Sequence, residues 1–328
     1  DATFFIGLQA AKVYRNLVSK QLNQSEVTVR ENVTKAYLSA LIAARNREIV
    51  SKNINNLEKT LSDVRATYEE GFAEKLDVDR LELSLSNLQN ELESLEGVIE
   101  LNYNLLKFQM GYPVEQDITL TDDIDVLIGE TLINSQVLLD EELDPTQRAE
   151  YQVLEGGEKL NEMDIRRIRS GYYPSLYAFG SYSQSLFRND LFDSEANGWL
   201  PAAVVGATLN IPIFDGFMKS AQIDQAQIEL EKTQLQKSEF VRTANMQVMN
   251  ARISYRNALR KVDNLQASLD LAEEIYETTQ IKFREGVGSS VEVSQAEADL
   301  YSAQGNYINA LYDLLVARTD LEVALGTL

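Results

Sequence analysis

From Val241 onward, small or apolar residues fall at 241, 244, 248, 251, 255, 258, 262, 265, 269, 272, 276, 279 and 283, an unbroken alternation of three and four. A straight helix of 3.6 residues per turn would let such a stripe drift off its partner, so a sustained 3.5-residue period predicts helices wound around one another. The stripe resumes at Val293 and runs through Ala296, Leu300, Ala303, Tyr307, Ala310, Leu314, Ala317, Leu321 and Ala324. Between the two runs lies a Gly-containing turn, so the pattern is that of a helical hairpin.

The same pattern stands 215 residues earlier. Tyr68, Glu69, Glu70 and Gly71 overlay Phe283, Arg284, Glu285 and Gly286, and Gly111 overlays Gly326 without a gap. The first arm of this earlier copy carries Val29, Val33, Ala36, Ala40, Ala43, Val50, Ile54, Leu57, Leu61, Val64 and Tyr68, with Arg47 the one departure. Its second arm carries Val78, Leu81, Leu85, Leu88, Leu92, Leu95, Ile99 and Leu106, with polar Asn102 and Gln109 toward the far end. The chain is therefore a duplicated hairpin. Small seam residues such as Ala let helix axes approach closely, which suits either an ordinary antiparallel coiled coil or a sheet of coiled helices.

The long arms, of about 70 residues, reach on the order of 100 Å, and the second arms, of about 38 residues, roughly 57 Å. Each long helix thus leaves about 30 residues to be covered by something else. Residues 145–170 supply one candidate, a short helix opened by Asp144 as N-cap and Pro145 at its first position, able to stack end to end with a second arm. The duplication asks for two such helices and one is present, so an N-terminal segment is expected to be missing. Residues 113–144 are acidic and mixed, and read as a connector with short strand or helical pieces on the outside of the bundle.

Around residues 172–186 the period changes to two. Tyr173, Ser175, Tyr177, Phe179 and Ser181 alternate with Pro174, Leu176, Ala178, Gly180 and Tyr182, and after a polar stretch at 187–198 the series Ala203, Val205, Ala207, Leu209, Ile211 and Ile213 alternates with Val204, Gly206, Thr208, Asn210 and Pro212. These read as two strands of about 15 residues, either an edge hairpin on a soluble domain or one staple of a membrane barrel with aromatics at the interface. A lone hairpin is marginal, and the chain offers no other strands of that length, so neighbouring subunits are the simplest source of partners.

Composition narrows the function. Acidic residues outnumber basic ones 51 to 30, and no basic stripe interrupts them, which argues against nucleic acid and anionic headgroups as partners. A pore lined by such a surface would favour cations. The chain has no His and no Cys, which removes imidazole and thiolate chemistry, the usual zinc and copper ligands, and disulfides. With no Gly-rich phosphate loop either, no enzyme, cofactor or metal is expected. No run of about 18 apolar residues offers a transmembrane helix, a test that does not touch a transmembrane β-barrel. The sequence opens at Asp1 with no Met and no leader pattern, and reads as processed or trimmed.

Five motifs follow one another in order: Gln147-Arg-Ala-Glu-Tyr-Gln152, Gly171-Tyr-Tyr-Pro-Ser-Leu176, Asn210-Ile-Pro-Ile-Phe-Asp-Gly216, the tip segment from Phe283 to Ala296, and the closing Leu321-Glu-Val-Ala-Leu-Gly326. In their order and spacing they resemble the TolC-like outer-membrane efflux proteins of Gram-negative bacteria, across nearly the whole chain. The resemblance implies a mainly α fold in which long coiled-coil hairpins form an α-barrel and a β-hairpin joins an outer-membrane β-barrel. It implies a homotrimer with four strands per protomer in a twelve-stranded barrel, set in outer-membrane lipid with a large periplasmic part. Three copies of this chain would bring six strands. The implied function is a passive exit duct in a tripartite efflux or type I secretion system, joined through a periplasmic adaptor to an inner-membrane transporter. The alternative is a periplasmic coiled-coil adaptor or scaffold without channel activity, although an adaptor carries one hairpin and here there are two.

On this reading residues 1–112 form the first hairpin, 113–144 the connector, 145–171 the short helix, 172–215 the strand pair and 216–328 the second hairpin. Gly71 and Gly286 are expected as left-handed helix caps, and the resemblance adds adaptor contact at the tips. Val287, Gly288 and Ser289 match the family's tip pattern, whereas Phe72, Ala73 and Glu74 depart from it. Asp77 and Glu292 are expected either as solvated carboxylates near a helix N-terminus or, by resemblance, as a ring at the periplasmic constriction. Gln295, one turn on, is neutral and gives no second ring in that copy.

Overall fold

The computed structural model describes residues 2–186 and 199–328, and the polar stretch between the two strands lies outside them. In chain order the elements are α1 (Ala2–Glu69), α2 (Lys75–Gln109), α3 (Ile124–Ile133), α4 (Ser135–Asp140), a single 3-10 turn (Pro145–Gln147), α5 (Ala149–Ser170), β1 (Ser175–Ser185), β2 (Leu200–Asn210), α6 (Met218–Arg284) and α7 (Ser290–Leu325). All five prolines, at 113, 145, 174, 201 and 212, lie outside the four long helices, so nothing removes an interior hydrogen bond from them.

The short helix starts later than its sequence suggests. Asp144 caps only the 3-10 turn, its side chain accepting the Thr146 N–H at 3.0 Å. Arg148 then turns extended (ψ 134°), and the α-helix begins at Ala149. The chain divides into two compact units, one of residues 1–22 with 149–241, the other of residues 23–148 with 242–328.

The second unit holds the tip-side parts of both hairpins, residues 23–112 and 242–328. On α1 the repeat positions Val50, Ile54, Leu57, Leu61 and Val64 bury against Val78, Leu81 and Leu88 of α2, with Leu57 fully enclosed. Val248, Tyr255, Ala258 and Val262 of α6 join Ile308, Leu311, Leu314 and Leu321 of α7 in a second cluster. Arg47, the one departure from the stripe, is exposed. Asn102 is half-buried and accepts the Ser39 hydroxyl at 3.0 Å, so a polar pair replaces an apolar one at that level.

The connector contributes α3 and α4, with no strand among its described residues. It is drawn further into the core than a surface linker. Asp123 caps α3 by accepting from Asp125 N at 2.9 Å, and Ile124 and Ile128 enter the α6–α7 cluster. Thr131 is fully buried, its carbonyl accepting from the Tyr255 hydroxyl (3.2 Å) and its Oγ1 from Arg318 (2.8 Å). Tyr37 of α1 donates to Asp122 at 2.6 Å, and Arg45 pairs with Asp125 at 3.1 Å.

In the first unit, α5 lies close on the N-terminal part of α1. A Cβ on Gly156 would stand 2.9 Å from Leu17 Cδ1 and 3.3 Å from Leu17 Cβ, so glycine allows this approach without displacing the leucine. Against α6, Asn161 donates to Thr233 at 2.8 Å, Glu158 pairs with Lys237, and the Lys237 ammonium lies 5.6 Å from the Tyr151 ring centroid. β1 and β2 form an antiparallel pair in the register Ser175↔Asn210 to Ser185↔Leu200. Tyr177, Phe179, Tyr182, Leu200, Val205 and Leu209 are exposed, on both faces of the ribbon.

Candidate functional site at the hairpin tips

Both hairpins turn by the same device. Gly71 (φ 84°) and Gly286 (φ 73°) occupy the left-handed region that ends α1 and α6. Gly71 N–H reaches Tyr68 O and Phe72 N–H reaches Thr67 O, each at 3.0 Å; Gly286 N–H reaches Phe283 O and Val287 N–H reaches Lys282 O, also at 3.0 Å. This is the Schellman pairing, which satisfies the last helical carbonyls. It leaves the following residue outside the helix, and that residue is apolar in both copies: Phe72 is 83% exposed and Val287 is 78% exposed. Phe72 departs from the motif by sequence, yet it stands in the same structural place as Val287.

The second tip adds a bond that the first lacks. Gly288 N–H donates to Lys282 O at 3.1 Å, and a Cβ there would lie 3.1 Å from Phe283 N, a tight fit that glycine avoids. Its counterpart in the first copy is Ala73.

Beyond the tips, Asp77 and Glu292 each stand at the third position of their helices, and they do different work. In α7 the cap is Ser289, whose hydroxyl accepts the Glu292 N–H at 3.3 Å. The Glu292 side chain is exposed and takes no part. In α2 the cap position is Glu74, and it is Asp77 that turns back, its Oδ2 accepting the Glu74 N–H at 3.1 Å. Asp77 Oδ1 accepts the hydroxyl of Ser290, so the same carboxylate also joins α2 to α7. The duplicated position has split into one engaged carboxylate and one free to face solvent.

The hydrophobic stripe gives no sign of a second seam on α7. Ser290, Ser294, Glu297, Tyr301 and Gln304 recur at spacings of four and three, then Ile308, Leu311 and Leu315 continue the line. Ser290 meets Asp77 of α2, Tyr301 packs on the α1–α2 cluster, and Gln304 accepts from buried Asn53 of α1 at 2.7 Å. Nearby, Gln280 of α6 donates to Thr60 of α1 at 3.2 Å. The seam between the hairpins is therefore polar toward the tips and apolar away from them. A signal existed in the 3.5-residue spacing of polar residues, which a search for apolar periodicity passes over.

A cleft of about 1450 Å³ opens beside this seam, lined among others by Lys59, Asp63, Phe72, Asp77, Tyr276 and Arg284. Charges of both signs meet there, so it has no marked preference for an anion or a cation. Among the described residues no group of three acidic side chains is placed to hold a metal ion. No described helix is long and apolar enough to cross a membrane, which says nothing of a barrel.

Paired coiled-coil hairpins with matched tips, together with a two-stranded antiparallel sheet, define a mainly helical fold. The chain belongs to the outer membrane efflux protein family, which its residues 158–327 match. It is similar to the probable outer membrane lipoprotein SilC of Salmonella typhimurium, 24% identical over 310 residues that cover 90% of this chain and 62% of that protein. It is also similar to the outer membrane protein TolC of Vibrio cholerae, 23% identical over 333 residues, covering 99% of this chain and 73% of TolC. Among solved structures, the outer membrane protein VceC of Vibrio cholerae superposes with a TM-score of 0.73 at 18% identity, over 99% of this chain and 76% of VceC. The chain thus spans less than two thirds of the length of SilC. Family membership assigns it to the outer membrane and to efflux proteins, not to enzymes.

Proposed function

We propose that the protein acts as a passive exit duct, the outer-membrane channel component of a tripartite efflux or type I secretion system, assembled as a homotrimer. The observation that carries this reading is the pair of matched tips, each presenting a rigid left-handed turn followed by one exposed apolar side chain. Apolar residues held on a fixed turn suit docking of a helical partner better than solvent. The tips at Gly71 with Phe72, and at Gly286, Val287, Gly288 and Ser289, are read as the contact surface for a periplasmic adaptor, through which an inner-membrane transporter supplies the driving force. Glu292 is read as the carboxylate of a periplasmic constriction, and Asp77 as its counterpart tied into the cap and the hairpin link.

In this reading residues 1–112 and 216–328 serve as the two duct-forming hairpins, 113–144 as an equatorial segment, 145–171 as the short helix and 172–215 as the outer-membrane staple. The test is site-specific photo-crosslinking in cells that produce the protein with its adaptor. A crosslinker at Val287 or Phe72 is expected to yield an adduct of duct plus adaptor, and one at exposed Leu83, about two turns into α2, is not. Adducts from Leu83 with none from either tip would overturn the docking assignment.

A further inference from the structure

The buried residue that the duct reading leaves without a role is Glu297. It is 2% exposed and lies in the polar, tip-side half of the seam between the hairpins. Its carboxylate receives the Tyr301 hydroxyl at 2.7 Å, and among the described residues no lysine or arginine pairs with it. One turn earlier on the same stripe, the Ser294 hydroxyl is buried without a partner. A protonated carboxyl brings an O–H donor to that stripe, whereas a carboxylate brings only acceptors and an uncompensated charge.

We propose that Glu297 makes the tip-side packing of α7 on the first hairpin depend on its proton: the acid form keeps this half of the seam closed, and its ionisation loosens it. Burial pushes the carboxyl above the ordinary glutamate range, and the Tyr301 hydrogen bond pulls against that shift without cancelling it. The surrounding titratable and charged groups do not reverse the direction. Tyr301 on α7 and Tyr276 on α6 are both raised by burial and stay neutral, and Arg284 acts on Tyr276 without pairing with Glu297. Lys59 and Asp63 of α1 and Asp77 and Arg80 of α2 line the adjoining cleft, and none of them bonds to Glu297. The sign follows from linkage. The folded seam holds a proton that the separated state releases, so its stability is complete below the ordinary glutamate pKa and falls as pH rises through the raised one. The two arrangements need differ only in the polar half, since Ile308, Leu311 and Leu315 continue the contact beyond it.

This inference goes beyond the duct reading, because it concerns one chain and holds whether or not three copies assemble. The absence of cysteine allows a clean labelling experiment. Spin labels on Phe72→Cys and Val287→Cys report the separation of the two tips in the detergent-solubilised protein. The distance distribution is expected to lengthen or broaden between about pH 5 and about pH 8, and Glu297→Gln, which keeps the hydrogen bond and removes the charge, is expected to make it independent of pH. Over the same range the parent protein is expected to lose thermal stability that the Gln variant retains.

A pH-independent distribution in the parent, or one that shifts equally in Glu297→Gln, would overturn the proposal. Should the Gln variant fail to fold, infrared titration of Tyr301→Phe against the parent decides the matter. Without the phenol the buried acid is expected to ionise at higher pH, and the tip separation must shift with it. A separation that stays put while the acid band moves would equally defeat the proposal.

Discussion

The Ser290 hydroxyl donates to Asp77 Oδ1, tying the first turn of α7 to the first turn of α2, while Asp77 Oδ2 caps its own helix through Glu74 N. One carboxylate thus holds a helix end and a contact between hairpins. Truncating the two partners should have unequal effects. Ser290 is buried, and Ser290→Ala, which removes its charge-assisted bond to Asp77, is expected to cost about 1 kcal/mol. Asp77→Ala also loses the cap and is expected to cost about 2 kcal/mol. In a double-mutant cycle by urea unfolding, the pair should couple by about 1 kcal/mol. Additive costs would mean that the hydroxyl and carboxylate do not stabilise one another.

Glu292 has no such duties. Glu292→Gln should leave stability within about 0.5 kcal/mol, most of that from the lost helix-dipole interaction. In the assembled protein in planar bilayers it should lower cation selectivity, and Asp77→Asn should lower it less, because the oxygens of Asp77 are already engaged. A double variant, Glu292→Gln with Asp77→Asn, whose reversal potential matches the parent's would take both residues out of the conduction path.

At the turns, Gly71→Ala and Gly286→Ala place a Cβ on a left-handed residue and should each cost about 1 kcal/mol. Gly288→Ala has an ordinary φ, but its Cβ comes to 3.1 Å from the Phe283 backbone nitrogen, and the change should cost a comparable amount. The mirror change, Ala73→Gly, should cost less than Gly288→Ala, since the first tip lacks that extra bond. Thermal melts of the four variants would rank them, and Gly288→Ala melting with the parent would show that the second tip relaxes to take the methyl group.

Tyr37 gives a spectroscopic prediction. Burial first, and then its hydrogen bond to Asp122, push the phenol up to about 12. The neutral form is the one the fold prefers, so stability is complete below the ordinary tyrosine pKa and is lost as pH rises toward about 12. Ultraviolet titration should show a phenol ionising late, and Asp122→Asn should bring it down. A titration unchanged by Asp122→Asn would leave burial alone as the cause.

The apolar seam was legible in the sequence because burial of Leu57, Leu81, Leu314 and Leu321 leaves a hydrophobic mark at a fixed period. The repeat also located both glycine turns and both N3 carboxylates. The exchange of capping roles was not legible, since it depends on whether Glu74 or Ser289 stands at the cap and which carboxylate turns back. Phe72 differs in identity from the motif, whereas the Schellman turn fixes where a side chain goes whatever that side chain is. The second seam on α7 escaped for a related reason. Asn53 with Gln304 and Tyr301 with Glu297 satisfy one another in the interior, and buried polar pairs look like surface residues in a linear sequence.

The change from polar to apolar along that seam sets a mechanical scale. From Ile308 to Ser290 is 18 residues of helix, a lever of about 27 Å. If the apolar contact at Ile308 and beyond stays fixed as a fulcrum, a tilt of about ten degrees carries the tip by about 5 Å. A displacement of that size thus requires no melted helix and no break in the apolar contact beyond Ile308, only the parting of Ser290, Ser294, Glu297, Tyr301 and Gln304 from the first hairpin.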